Sequence, residues 1–184
     1  HVKGEPLLHP ELDKILSVSL QERFKVNITT NGTLIEQAAP KLINKPALRQ
    51  INFSLHSFEE DIGSISHDRY IQNIIDFIRA TRKHDLLISL RLWNIQEEVY
   101  RIGENAYLHE SIEKAFNLDY RIHQMTIPKR GIAIEKGVYL NQGKVFEWPH
   151  SDYESRKISE KTKGFCHGLR NQVGVLVDGT VIPC

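Results

Sequence analysis

Short β-rich segments alternate with helix-like ones along most of this 184-residue chain, and the three clearest strands each have one apolar and one polar face. Segment 25–30 (KVNITT) sets Val26 and Ile28 against Asn27, Thr29 and the following Asn31. Segment 50–55 (QINFSL) sets Ile51, Phe53 and Leu55 against Asn52, Ser54 and the following His56. Segment 86–92 (LLISLRL) sets Ile88, Leu90 and Leu92 against Ser89 and Arg91. Successive strand residues point to opposite faces, and parallel strands covered on both faces read instead as continuous apolar runs. Each strand therefore offers one face to helices and one polar row. An antiparallel sheet with a wet outer face is the plain alternative, but the intervening helices favour βαβ units and a parallel sheet. Asn31, His56 and Arg91 all fall near the carboxyl ends of their strands, where sites gather in barrel-like sheets.

The helical reading covers 33–44, interrupted by Pro40, and 68–83, where Ile71, Ile74, Ile75 and Ile78 form one stripe. Segment 97–116 reads as mostly helical and 121–127 as a further strand. A hairpin is expected from 132–140 and 144–147 around Asn141-Gln142-Gly143, and another from 173–177 and 180–182 around Asp178-Gly179. Residues 151–164 are polar and read as a linker. The expected organisation is α/β: a partial barrel over 1–150, the linker 151–164, and the start of a small β-rich module over 165–184.

Composition narrows the function. With 40% hydrophobic residues the chain is too apolar for a disordered tail, and a formal net charge of +1 removes bulk electrostatics as an argument for nucleic-acid binding. No apolar run reaches the ~18–20 residues that span a bilayer. Two cysteines exclude a disulfide-rich scaffold, so a cytoplasmic setting without membrane or nucleic-acid partners is expected.

The opening residues Gly4-Glu5-Pro6-Leu7-Leu8-His9-Pro10 form a strand–loop–helix junction in which a glutamate follows a glycine. This segment closely resembles the GGEPLLHP segment of radical S-adenosylmethionine (SAM) enzymes. Segments 26–34 (VNITTNGTL) and 52–57 (NFSLHS) resemble that family's next strands, and Cys166, Gly179 and Cys184 in 166–184 match C-x(9–15)-G-x4-C, the opening of its SPASM extension. The resemblance implies a partial (β/α)6, TIM-barrel-like fold and an iron–sulfur oxidoreductase that cleaves SAM at a 4Fe–4S cluster to a 5′-deoxyadenosyl radical, which abstracts hydrogen from substrate. It implies that Gly4 and Glu5 hold the methionyl ammonium and that Thr30, Asn31 and Ser54 lie beside the methionine and ribose. Arg91 faces the cofactor's carboxylate or the substrate. Cys166 and Cys184 would bind an auxiliary 4Fe–4S cluster, thiolate being its usual ligand. A peptide or protein substrate and an external electron donor follow from the same likeness.

The chain departs from the family in three places. Lys3 stands at its first glycine, His56 where an aspartate is common, and no C-x3-C-x2-C loop is present. The expectation is therefore a central fragment that is inert alone, because such clusters usually take four cysteines, with an unpaired sheet edge that recruits a second copy or a covering loop. The readings weighed against it are a non-catalytic binding domain on a degenerate barrel, an enzyme of phosphorylated sugars, a Cys166–Cys184 disulfide, and a zinc site using Cys166, His167, Cys184 and another histidine.

Overall fold

Four strands, β1 (Val26–Thr30), β2 (Leu48–Ser54), β3 (Leu87–Gln96) and β6 (Val138–Lys144), run parallel as neighbours in the order β1-β2-β3-β6. The structure, a computed structural model, describes residues 4–55, 66–96, 99–100, 106–124, 131–144, 173–175 and 179–182. Two antiparallel strands extend the sheet: β5 (Ile132–Glu135) beside β6, and β4 (Val99–Tyr100) beside β3. Helix α1 (Leu12–Gln21) leads into β1, α2 (Ile35–Leu42) and α3 (His67–Thr81) connect β1 to β2 and β2 to β3, and α4 (Ala106–Ala115) precedes β5. This is the expected α/β architecture, a partial TIM-barrel-like sheet that does not close among the described residues.

The chain divides into two units, Glu5–Phe146 and a second made of His1–Gly4 with Glu147–Cys184. The second unit contains a short antiparallel pair, β7 (Gly174–Val175) and β8 (Val181–Ile182). This pair falls where Asp178-Gly179 signalled a turn. The segment 151–164 lies outside the described residues.

In the first unit the register stacks the strands in layers. Ile28, Ile51, Ile88 and Val138 are level with one another, and Thr30, Phe53, Leu90 and Leu140 form a second such layer. All of these but the buried polar Thr30 join Leu16, Ile35, Leu42, Ile74, Ile78 and Ile112 from the helices in one apolar core. The alternate residues Thr29, Asn52 and Ser89 form the polar layer between them. The stripe anticipated on α3 is present, and Ser66 caps that helix by accepting the N–H of Arg69 at 3.3 Å. Helix α2 is shorter than expected, eight residues with Pro40 in its last turn.

Three expectations are corrected. Segment 97–116 is not one long helix: β3 continues to Gln96, β4 returns along it, and α4 begins only at Ala106. The β-branched and aromatic residues flanking Glu97-Glu98 favour that reversal. The hairpin after residue 131 turns at Lys136-Gly137, with Gly137 at φ +81, and not at Asn141–Gly143. Those three residues pair with Arg91, Leu92 and Trp93 of β3 instead. A long parallel neighbour outweighs a local turn signal. Segment 121–127 carries a 3-10 turn, Ile122–Gln124, where a strand was expected; Glu113 of α4 accepts the Ile122 N–H at 2.7 Å and holds the turn.

Candidate active site

Pro6 fixes its own φ and starts a 3-10 turn, Pro6–Leu8, with Glu5 at the cap position. Leu7 is buried and anchors the turn to the core. The Glu5 carboxylate folds back over the turn, and its Oε1 accepts the Leu7 N–H at 3.0 Å. The same oxygen accepts the Thr30 hydroxyl at 2.7 Å, while Oε2 accepts the Asn31 N–H at 2.8 Å. A carboxylate has roughly four lone-pair sites, so among the described residues three donors leave one acceptor site, on Oε2. Gly4, the preceding residue, has φ +96, which favours glycine.

The turn after β1 is equally determined. Thr30 Oγ1 accepts the Gly32 N–H at 3.0 Å while donating to Glu5. Asn31 Oδ1 accepts both the N–H and the hydroxyl of Thr33, at 3.0 and 2.8 Å. The Tyr70 hydroxyl, from α3, donates to the Asn31 carbonyl at 2.6 Å. Burial, reinforced by the charge of Glu5, pushes the Tyr70 phenol well above its ordinary range, so it remains a protonated donor.

The polar layers continue across the sheet. Asn52 Nδ2 donates to the Ile28 carbonyl and to Thr29 Oγ1 at 3.2 and 3.1 Å. Its Oδ1 accepts from Gln50 Nε2 at 2.7 Å and from Arg91 Nη2 at 2.8 Å. Arg91 is half-buried, and burial lowers its pKa. Among the described residues a neutral amide is thus the partner of this guanidinium. Ser54, 8% exposed, is its register neighbour on β2. On the other side Ser89 donates to Asn141 Oδ1 at 2.8 Å.

Glu5, Thr30 and Asn31 are therefore brought into direct contact, and Ser54 and Arg91 stand level on adjacent strands. Thr30 belongs to the helix-facing row with Phe53, and its hydroxyl is spent on Glu5 and Gly32, so it holds the carboxylate in place. Lys3, His56, Cys166 and Cys184 lie outside the described residues. Tyr70, Gln50 and Asn141 were missed as site residues. Tyr70 had a usable signal, a phenol at the edge of an apolar helix stripe, because a buried hydroxyl needs an acceptor.

A cavity of about 410 Å³ lies at the opposite, amino-terminal end of the strands, among Lys25, Lys45, Arg49 and Lys83. Most of these cations are taken up by the fold: Lys25 donates to the Pro46 carbonyl, Lys45 pairs with Asp13, and Arg49 donates to Asn27. Ligands of open α/β sheets sit at the other end, where Glu5 is. Among the described residues no group of three or more His, Cys, Asp or Glu is arranged to hold a metal ion, and no helix is long and apolar enough to cross a membrane.

Among the described residues the Glu5 carboxylate keeps an acceptor site, Gly4 adjoins it in the chain, and Arg91 on β3 donates to the neutral amide of Asn52. Among curated proteins, the chain is 42% identical over 212 aligned residues to GTP 3′,8-cyclase of Microcystis aeruginosa, covering 98% of this chain. The chain spans 63% of that relative's length. No solved structure matches it. Residues 2–101 match the family model of the radical SAM superfamily, and the chain belongs to that superfamily.

Proposed function

We propose that this chain is the central part of a cytoplasmic radical SAM enzyme. The observation that carries the reading is the Glu5 carboxylate, held by the Leu7 N–H, the Thr30 hydroxyl and the Asn31 N–H with one acceptor site to spare among the described residues. In this reading Glu5, next to Gly4, receives the methionyl ammonium of SAM, Ser54 lies beside the methionine and ribose, and Arg91 on the adjacent strand receives the carboxylate. Asn31 borders the methionine and ribose. When bound, a 4Fe–4S cluster supplies the electron for reductive cleavage of SAM to a 5′-deoxyadenosyl radical. The residues of this chain bind and orient SAM at the carboxyl ends of β1 to β3.

A 4Fe–4S cluster usually takes four thiolates and this sequence has two cysteines, so these 184 residues are proposed to be inert by themselves. Cys166 and Cys184 are proposed as ligands of an auxiliary, SPASM-type cluster, and that likeness supports a peptide or protein substrate. A second reading, a purine nucleotide, rests on the identity with the GTP 3′,8-cyclase. Among the described residues β1 is an end strand of the sheet. We propose that its free edge pairs with another strand of the whole protein or of a second copy.

The test is anaerobic reconstitution of the full-length protein with iron and sulfide, then dithionite as reductant and SAM. Formation of 5′-deoxyadenosine is expected, and its absence from a cluster-loaded protein overturns the reading. Cys166→Ala and Cys184→Ala should each lower the iron content by about one cluster. Added GTP that is consumed favours the nucleotide reading over the peptide one.

A further inference from the structure

The SAM reading assigns no role to Tyr70, a fully buried phenol on the first turns of α3. Its position is unusual. The peptide preceding Asn31 carries the N–H that Glu5 accepts, and the peptide following it carries the carbonyl that Tyr70 caps. The two planes meet at the Asn31 Cα, so the hydroxyl limits rotation about the bond that aims the N–H. The next residue, Gly32, has φ +82, and a Cβ there would stand 3.0 Å from Ile74, 3.1 Å from Phe53 and 3.4 Å from the Tyr70 hydroxyl. The turn therefore lies directly on α3 with no side chain between them. Helix α3 is tied to α2 as well, because Glu36 accepts from Arg69 and, at 3.0 Å, from Asn73.

We propose that Tyr70 is a positioning residue for ammonium recognition: by capping the Asn31 carbonyl it keeps the Asn31 N–H on Glu5 and the remaining acceptor site of Glu5 turned toward the ligand. Tyr70 does not touch the ligand in this scheme; it acts through Asn31. The inference rests on the reading of Glu5 as the ammonium acceptor and extends it from the site to the helix behind it. Proton affinity fits as well. A phenol raised by burial and by a nearby carboxylate charge donates over the whole working pH range.

The experiment uses the full-length, cluster-loaded protein and two probes: SAM, and the SAM analogue in which hydrogen replaces the α-amino group. Tyr70→Phe deletes only the hydroxyl. The expected result is an approximately tenfold weaker Kd for SAM with an unchanged Kd for the desamino analogue, in a protein with native circular dichroism. Equal weakening of both probes, or no change in either, overturns the proposal, because a merely structural tyrosine does not discriminate an ammonium. A wild-type protein that binds both probes alike overturns the Glu5 reading itself, which is a different failure. Tyr70→3-fluorotyrosine keeps the ring and changes only the donor strength. As a stronger donor it should shift the preference for SAM the opposite way from the phenylalanine variant, toward tighter relative binding of SAM, and an unshifted preference counts against the proposal even if the phenylalanine variant does not fold.

Discussion

Asn31 donates its backbone N–H to Oε2 of Glu5 at 2.8 Å, joining two residues 26 positions apart in the chain. That bond carries the acid of the first loop to the carboxyl end of β1. Charge-assisted bonds of this kind contribute roughly 1.5–3 kcal/mol.

Glu5→Gln keeps the shape of the side chain and removes its charge. In the full-length, cluster-loaded protein the Kd for SAM should rise by about 10- to 100-fold, the equivalent of 1.5–3 kcal/mol. Equilibrium binding measures it, and an unchanged Kd would remove the ammonium from Glu5.

Arg91 is the next test. Replacing it by Met retains the apolar stem and deletes the guanidinium that donates to Asn52. The wild-type protein should prefer SAM over its carboxamide analogue, and Arg91→Met should lose most of that preference. If the variant discriminates as well as the wild type, Arg91 faces another anion, such as one on the substrate.

Gly32→Ala adds a Cβ at positive φ, 3.0 Å from Ile74 and 3.1 Å from Phe53. Strain and overpacking together should destabilise the fold by about 1–3 kcal/mol. Urea denaturation gives the value; a shift under a few tenths of a kcal/mol would show that α3 yields easily to the turn.

His109 on α4 is 3% exposed, and neither ring nitrogen has a hydrogen-bond partner among the described residues. Burial lowers its pKa below the ordinary 6.5; the charge of Glu113 opposes that shift, and His123 adds to it. The sign follows from proton uptake. Below about pH 6.5 the unfolded chain binds a proton that the folded chain refuses, so stability falls as pH drops from there toward the folded pKa. His109→Leu should flatten this dependence and be at least as stable as the wild type at pH 7.5. Urea midpoints at pH 7.5 and 5.5 check both; an undiminished loss at pH 5.5 would place the acid sensitivity elsewhere.

The strand faces were legible because a period of two needs no tertiary information. Ile28, Ile51, Phe53, Ile88 and Leu90 are buried in the core as their spacing requires. The stripe of α3 was legible for the same reason at a period of 3.6. Glu5 was legible through the residues around it. Asn141-Gln142-Gly143 misled because a turn signal is local, whereas pairing with β3 depends on a strand some fifty residues earlier. The helix expected over 97–116 failed alike, since β4 exists only by pairing with β3.

By itself, the sequence determined which residues face the core, which face the polar side of the sheet, and that an acid follows a glycine in the first loop. These follow from pleat, helical period and chain order, all short-range. Only the tertiary structure decided that this acid meets Thr30 and Asn31, that Tyr70 braces the same turn from α3, and that Arg91 rests on Asn52. Such contacts join segments tens of residues apart, and their geometry is set by how the helices pack on the sheet, which no local pattern encodes.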